Sequence, residues 1–343
     1  MSTKTKNAAF ANFICHFGDE LELMDRLEEI VLPAFLNKYE REFGLTDYFF
    51  HDAQLLDLKS EDGTKNLAIC GRLIKNTVIV REQVYKHGVL RKKLRKFESA
   101  PSSLFVLLLD GHKLIYVPEV VGAPPLSAFQ STTLNFLKQA REDFVRAQHA
   151  KLKKVAERKS EKKPTLSALF LEHPLPTLEV VALASEGSLH AFVQKFKTLK
   201  FLSLKLHQPN NEQDFDGFFE QVRGKRKLLG ANDADLTYRN AEGLNKAQVA
   251  AHAEASLDGN TDIVMDGVDK EGNKLKGNNE DFKVQVPITD IPDSVPEAAM
   301  KLFRAFEQSV KTKLIHLAKR VRNDAATQKL ETVRKARLEK RSQ

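Results

Sequence analysis

Hydrophobic and polar positions divide the chain into stretches of distinct period. Residues 19–43 place Leu23, Leu27, Ile30 and Val31 at three- and four-residue steps, with acids in the first turn, which predicts an amphipathic helix that Pro33 kinks or splits. Four strand-like segments follow, at residues 48–59, 66–74, 77–84 and 104–118. Asp62-Gly63 marks a turn, Lys75-Asn76 is short enough for a hairpin turn, and Asp110-Gly111 splits the last segment into residues 103–109 and 113–117. These segments predict a mostly antiparallel sheet. After the Gly122–Pro125 cluster, Ser127 is a candidate N-cap for a helix over residues 128–163, with an apolar face of Phe129, Leu134, Phe136, Leu137 and Phe144.

Residues 177–288 are the most regular part of the text. Strands at 178–183, 200–207, 235–239, 261–268 and 282–288 alternate with helices at 188–197, 214–229 and 246–257, and a turn at 269–272 suggests a closing hairpin. This alternation predicts a mixed α/β sandwich with helices on one face. Pro292 and Pro296 then introduce one long helix over residues 294–341, striped with Met300, Phe303, Phe306, Val310, Leu314 and Leu317. The expected fold class is α+β in two domains. Residues 1–150 form an N-terminal α+β domain, 151–164 a basic linker or helix extension, 165–292 a central mixed α/β domain, and 293–343 a long basic helix.

Charge changes this picture more than composition does. Among 343 residues the net charge is only +8. Residues 86–96 alone carry +6, residues 138–163 another +6, and residues 301–341 +9, which leaves −13 on the rest of the chain. An acidic body with concentrated basic segments is the electrostatic footprint of a protein with a polyanionic partner. The two cysteines, Cys15 and Cys70, cannot build a disulfide framework and have no neighbours at zinc-ligand spacing, so both read as buried thiols. With no apolar run of membrane-spanning length and no signal-type N-terminus, a cytoplasmic location is expected.

Catalytic candidates are thin. Asp57-Leu58-Lys59 is an acid-x-Lys at a strand end which, with Asp47 and Asp52 upstream, makes half of the constellation by which metal-dependent nucleases hold a cation and position water. That tripeptide is also common at ordinary strand ends. Residues 266–272 superficially resemble a calcium loop, but they lack its alternating acids and terminal Glu. The ten histidines show no paired metal-ligand spacing, and no phosphate-cradling glycine loop occurs. No catalytic residue, metal or cofactor is called for.

The basic segments remain. Arg91, Lys92, Lys93, Arg95 and Lys96 form the densest cluster, Lys153, Lys154 and Arg158 a second, and Lys319, Arg320 and Arg322 a third. Side chains of this kind bind the phosphate backbone without reading sequence. The bland alternative for each is a solubilising helix face. If the three clusters gather on one surface, they make a track wide enough for a duplex.

Several landmarks resemble RexA-like phage-exclusion proteins. They are Pro101-Ser102-Ser103-Leu104-Phe105-Val106, the Pro-rich step into a helix at residues 126–137, the strand at 202–206, the strand-turn-strand at 262–272, and Phe303-Arg304-Ala305-Phe306 near Val310. The resemblance implies a DNA-binding, homodimeric sensor of antiviral defence that recognises phage replication or recombination intermediates and signals to a separately encoded membrane effector; the nucleic-acid partner expected is double-stranded DNA. It implies no catalytic residues. The chain departs from that pattern in a longer N-terminal helical region and a basic extension after Lys319. The rival classes are a metal-dependent nuclease using Asp57 and Lys59, and a non-catalytic protein-interaction scaffold.

Overall fold

A computed structural model describes residues 5–159, 164–210, 217–231, 233–257, 259–317 and 324–341. In chain order the elements are β1 (Thr5–Phe17), β2 (Leu21–Glu22), α1 (Leu32–Leu36), β3 (Glu40–Phe43), β4 (Thr46–Lys59), β5 (Lys65–Lys86), β6 (Val89–Ser99), β7 (Ser102–Leu108) and β8 (Lys113–Pro118). Then come α2 (Leu126–Lys159), α3 (Leu166–Glu172), β9 (Pro176–Ala182), α4 (Glu186–Val193), β10 (Phe196–Leu206), α5 (Gly217–Leu228) and β11 (Ala234–Arg239). The chain continues with α6 (Lys246–Glu254), β12 (Thr261–Asp269), β13 (Lys274–Asn278), β14 (Gln285–Thr289), α7 (Val295–Lys311) and α8 (Asp324–Arg341). The class is α+β, with one large antiparallel sheet and a smaller second sheet.

The large sheet runs β14-β1-β8-β7-β5-β4-β3, with β2 and β9 also on β1 and β6 also on β5. Both of its faces are covered. Phe13, Cys15, Phe17, Ile69, Phe105, Leu107, Leu114 and Tyr116 point into one core with α1 and α2. Their neighbours Phe10, Ala68, Cys70, Val106, Ile115 and Val117 point into the other, against Leu302, Phe303 and Phe306 of α7. Burial on both faces explains why residues 104–109 are continuously apolar where a one-sided strand would alternate. The stripe Met300–Val310 thus packs within its own chain, and Ile315 closes the same core.

The second sheet, β11-β10-β12-β13, shows the alternation of a sheet with one covered face. Leu202, Leu204 and Leu206 of β10 and Ile263 and Met265 of β12 face Leu189, Phe192 and Val193 of α4 and Val249 and Ala253 of α6.

Five expectations are corrected. Residues 19–43 are not one helix. They hold β2, a 3-10 turn at Leu23–Arg26, a π turn at Leu27–Val31, α1 and β3. Pro33 sits in the first turn of α1, where its missing N–H costs nothing, and Asn37 is already extended. Second, Lys75-Asn76 is no turn: both residues stay in β5, paired with Tyr48 and Asp47 of β4. The chain reverses instead at His87-Gly88, with φ of 51° and 77°, the left-handed pair that a tight two-residue hairpin requires. Third, the strand that follows β12 across the turn at 269–272 and pairs with it is β13, not the strand at 282–288. Fourth, the strands expected at the two ends of the central module, now β9 and β14, both pair with β1. Fifth, the C-terminal helix is broken: α7 ends at Lys311, and Lys313 has a left-handed φ of 56°.

Candidate nucleic-acid interface

The arm that carries the densest basic cluster follows from how β5 outruns its neighbours. As far as Ile74 it lies between β4 and β7. The last β4 pairing is Thr46 with Thr77, and the Thr46 and Thr77 hydroxyls are 2.7 Å apart. Beyond Thr77 only β6 remains as a partner, from Val78–Glu98 to Lys86–Val89. This is a two-stranded ribbon nine residues long on β5, so it projects about 30 Å from the sheet at 3.3 Å per residue.

Register assigns its faces. Ile79 with Phe97, Gln83 with Lys92, and Tyr85 with Leu90 lie on one face, which also holds Arg95. Val78 with Glu98, Val80 with Lys96, Val84 with Arg91, and Lys86 with Val89 lie on the other. Between Arg81 and Gln83 the register shifts by one, so that Lys93 and Leu94 together oppose Glu82. A bulge of this kind tightens the local twist and re-aims side chains. Cations therefore occur on both faces. Arg91, Lys92, Lys93, Arg95 and Lys96 are all exposed, and none forms an ion pair among the described residues. Between them stand exposed apolar side chains, with Tyr85 72%, Leu90 61% and Leu94 67% accessible. A basic ribbon with interleaved apolar and aromatic groups suits a nucleic-acid groove.

The second cluster does not adjoin the first. The run after Ala150 continues as helix to Lys159, so Lys153, Lys154 and Arg158 ride on α2. That helix begins beside Tyr116, whose hydroxyl donates to the Pro124 carbonyl. At Arg141 it has reached the His173 carbonyl, next to Pro174 and Gly18, at the end of β1 away from the ribbon. Arg158 lies about 25 Å further along the axis at 1.5 Å per residue. The expected single track joining these two segments is therefore not formed. Lys319, Arg320 and Arg322 lie outside the described residues.

The carboxylates of the nuclease reading do not converge either. Asp47 and Asp57 are ten positions apart on β4, roughly 33 Å along a strand. Asp52 has a φ of 49° and accepts from its neighbour Gln54. Asp57 instead takes Arg334 Nε of α8 at 2.9 Å, with both side chains 23% exposed. Arg334 also donates to the Lys65 carbonyl, and Lys329 to the carbonyls of Met24 and Asp25, so Asp57 helps dock α8 on the sheet. Arg334→Ala is expected to cost about 1–2 kcal/mol, between the values for exposed and buried pairs. Urea unfolding measures this, and Asp57→Ala should lose a similar amount.

The sequence pattern shows a strand over residues 77–84 and a basic run from Lys86, but not that the two belong to one paired ribbon. Tyr85 falls between those two stretches, and Gly88 is the signal for the turn that unites them. Arg223 and Arg226, inside a basic patch on α5, turn inward: Arg223 donates to the His207 and Asn260 carbonyls, and Arg226 to Gln208. No helix among the described residues is long and apolar enough to cross a membrane. No known family model matches this chain, and no curated protein is significantly similar to it.

Proposed function

We propose that this protein is a nonspecific DNA-binding sensor of a phage-defence or phage-exclusion system, and that the β5–β6 ribbon is its DNA-contacting arm. The observation that carries the reading is the ribbon itself: five exposed cations, free of ion pairs among the described residues, on a projecting hairpin. In this reading one projecting arm, rather than a broad track, follows the phosphates flanking a groove. Alternation of Lys and Arg with Tyr85, Leu90 and Leu94 lets phosphate contact and apolar contact occur together.

The same reading includes a homodimer in the cytoplasm and a separately encoded membrane effector, as in the proteins the sequence resembles. The apolar stripe of α7 is spent on its own core, so a second copy needs another surface. Phe43 and Leu45, 68% and 74% exposed beside the ribbon base, have the composition for it. Their exposure also supports the second reading, a scaffold that docks another protein.

Salt dependence separates the two. With four or five phosphates neutralised, the logarithm of the binding constant for duplex DNA falls against the logarithm of salt with a slope of about −4. Fluorescence anisotropy of a labelled duplex at several salt concentrations measures it. A flat dependence, or no binding at low salt, overturns the DNA reading and leaves the scaffold.

A further inference from the structure

Three side chains that the ribbon account does not use meet where the two sheets come together. Glu179 lies in β9, opposite Ile14 of β1. His207 follows the last residue of β10, and Asp262 is the second residue of β12. One ligand atom from each lies within 4.8 Å of the others, and His207 Nε2 is 2.9 Å from Asp262 Oδ2.

The surroundings hold these groups in place. His207 is only 6% exposed, its backbone N–H donates to the Asn260 carbonyl at 3.0 Å, and its backbone carbonyl accepts from Arg223 Nε at 2.7 Å. Gln130 Nε2 donates to Glu179 Oε2 at 2.8 Å and to the Leu178 carbonyl, which orients that carboxylate. The Asp262 side chain is 43% exposed, so the cluster is walled on the imidazole side and open to solvent on the other. Lys205 is the nearby cation on β10, and its ammonium is 3.4 Å from Asp233.

We propose that Glu179, His207 and Asp262 form a site for a divalent first-row transition ion. An imidazole with two carboxylates is the mixed nitrogen and oxygen donor set that such ions take, whereas calcium needs six or more oxygens. Three protein ligands leave a fourth position for water. The ligands come from a strand of the large sheet and two strand ends of the second sheet, so the ion clips one sheet to the other. Binding to the folded state alone raises stability by mass action.

The test uses the full chain stripped of metal, with Zn²⁺ as the probe, by calorimetric titration and thermal melting. One equivalent is expected to bind and to raise Tm, and Co²⁺ in its place should give visible absorption of a low-coordinate site. His207→Ala should weaken binding by at least about 100-fold, since it removes a ligand outright rather than a supporting contact. Asp262→Asn keeps the hydrogen-bonding shape while removing the anion, so it should weaken binding even if His207→Ala proves unstable. No saturable binding at millimolar Zn²⁺, or binding undiminished in Asp262→Asn, overturns the proposal.

Discussion

Reversing Lys92, Lys93 and Arg95 to Glu together is expected to lower affinity for duplex DNA by at least about 100-fold at moderate salt, because three phosphate contacts become three repulsions. The fold should not register the change. All three side chains are exposed and free of ion pairs among the described residues, and substitutions at such positions usually stay within about 0.5 kcal/mol. Anisotropy titrations and melting curves on the same preparations measure both effects. The matching triple reversal on α2, at Lys153, Lys154 and Arg158, should cost much less, because those residues lie past the opposite end of the sheet. If the two triple variants lose affinity equally, the ribbon is not the principal contact.

Phe129→Ala should be the most damaging single substitution for stability, at about 3–5 kcal/mol in denaturant unfolding. Phe129 is fully buried at the centre of an aromatic cluster, with ring centroids 5.2 Å from Phe105, 5.4 Å from Tyr116 and 5.9 Å from Phe50. Phe35 and Phe13 lie further out, at 6.4 and 6.5 Å. A ring lost there leaves a cavity that β7, β8 and α2 cannot collapse to fill, since each is held by its own pairing. DNA affinity below the lowered melting temperature should be unchanged, because the ribbon makes no part of that cluster. A loss under 1 kcal/mol would mean that the cluster is looser than its ring spacings imply.

Much of the fold was legible because the relevant signals are local. The apolar runs that became β7 and β8, the turn at Asp110-Gly111, the Phe-rich face of α2 and the alternation of β10 each appear within a few residues. What stayed hidden depends on distant partners. β9 and β14 look like members of a central module, but their register is set by β1, more than 150 residues earlier. The ribbon was concealed for another reason. Val78, Ile79 and Val80 read as an ordinary strand of the sheet although they lie beyond it and are exposed. In β6 the bulge at Lys93-Leu94 breaks the period of two, so Leu90, Leu94 and Phe97 fall at helix-like spacing. The break after α7 carries no Gly or Pro to announce it. The basic residues at 91–96 were visible as charge, but their display on a projecting arm was not. The Glu179, His207 and Asp262 cluster was invisible for the reason that hid β9, since its members come together only through sheet pairing.

The most direct test of the ribbon as the DNA-contacting arm is lysine-reactivity footprinting of the full chain with and without a saturating duplex. Acetylation of Lys92, Lys93 and Lys96 should be suppressed by DNA, while Lys153 and Lys154 react as they do in the free protein. Ribbon lysines that stay fully reactive while α2 or α8 becomes protected would contradict the account.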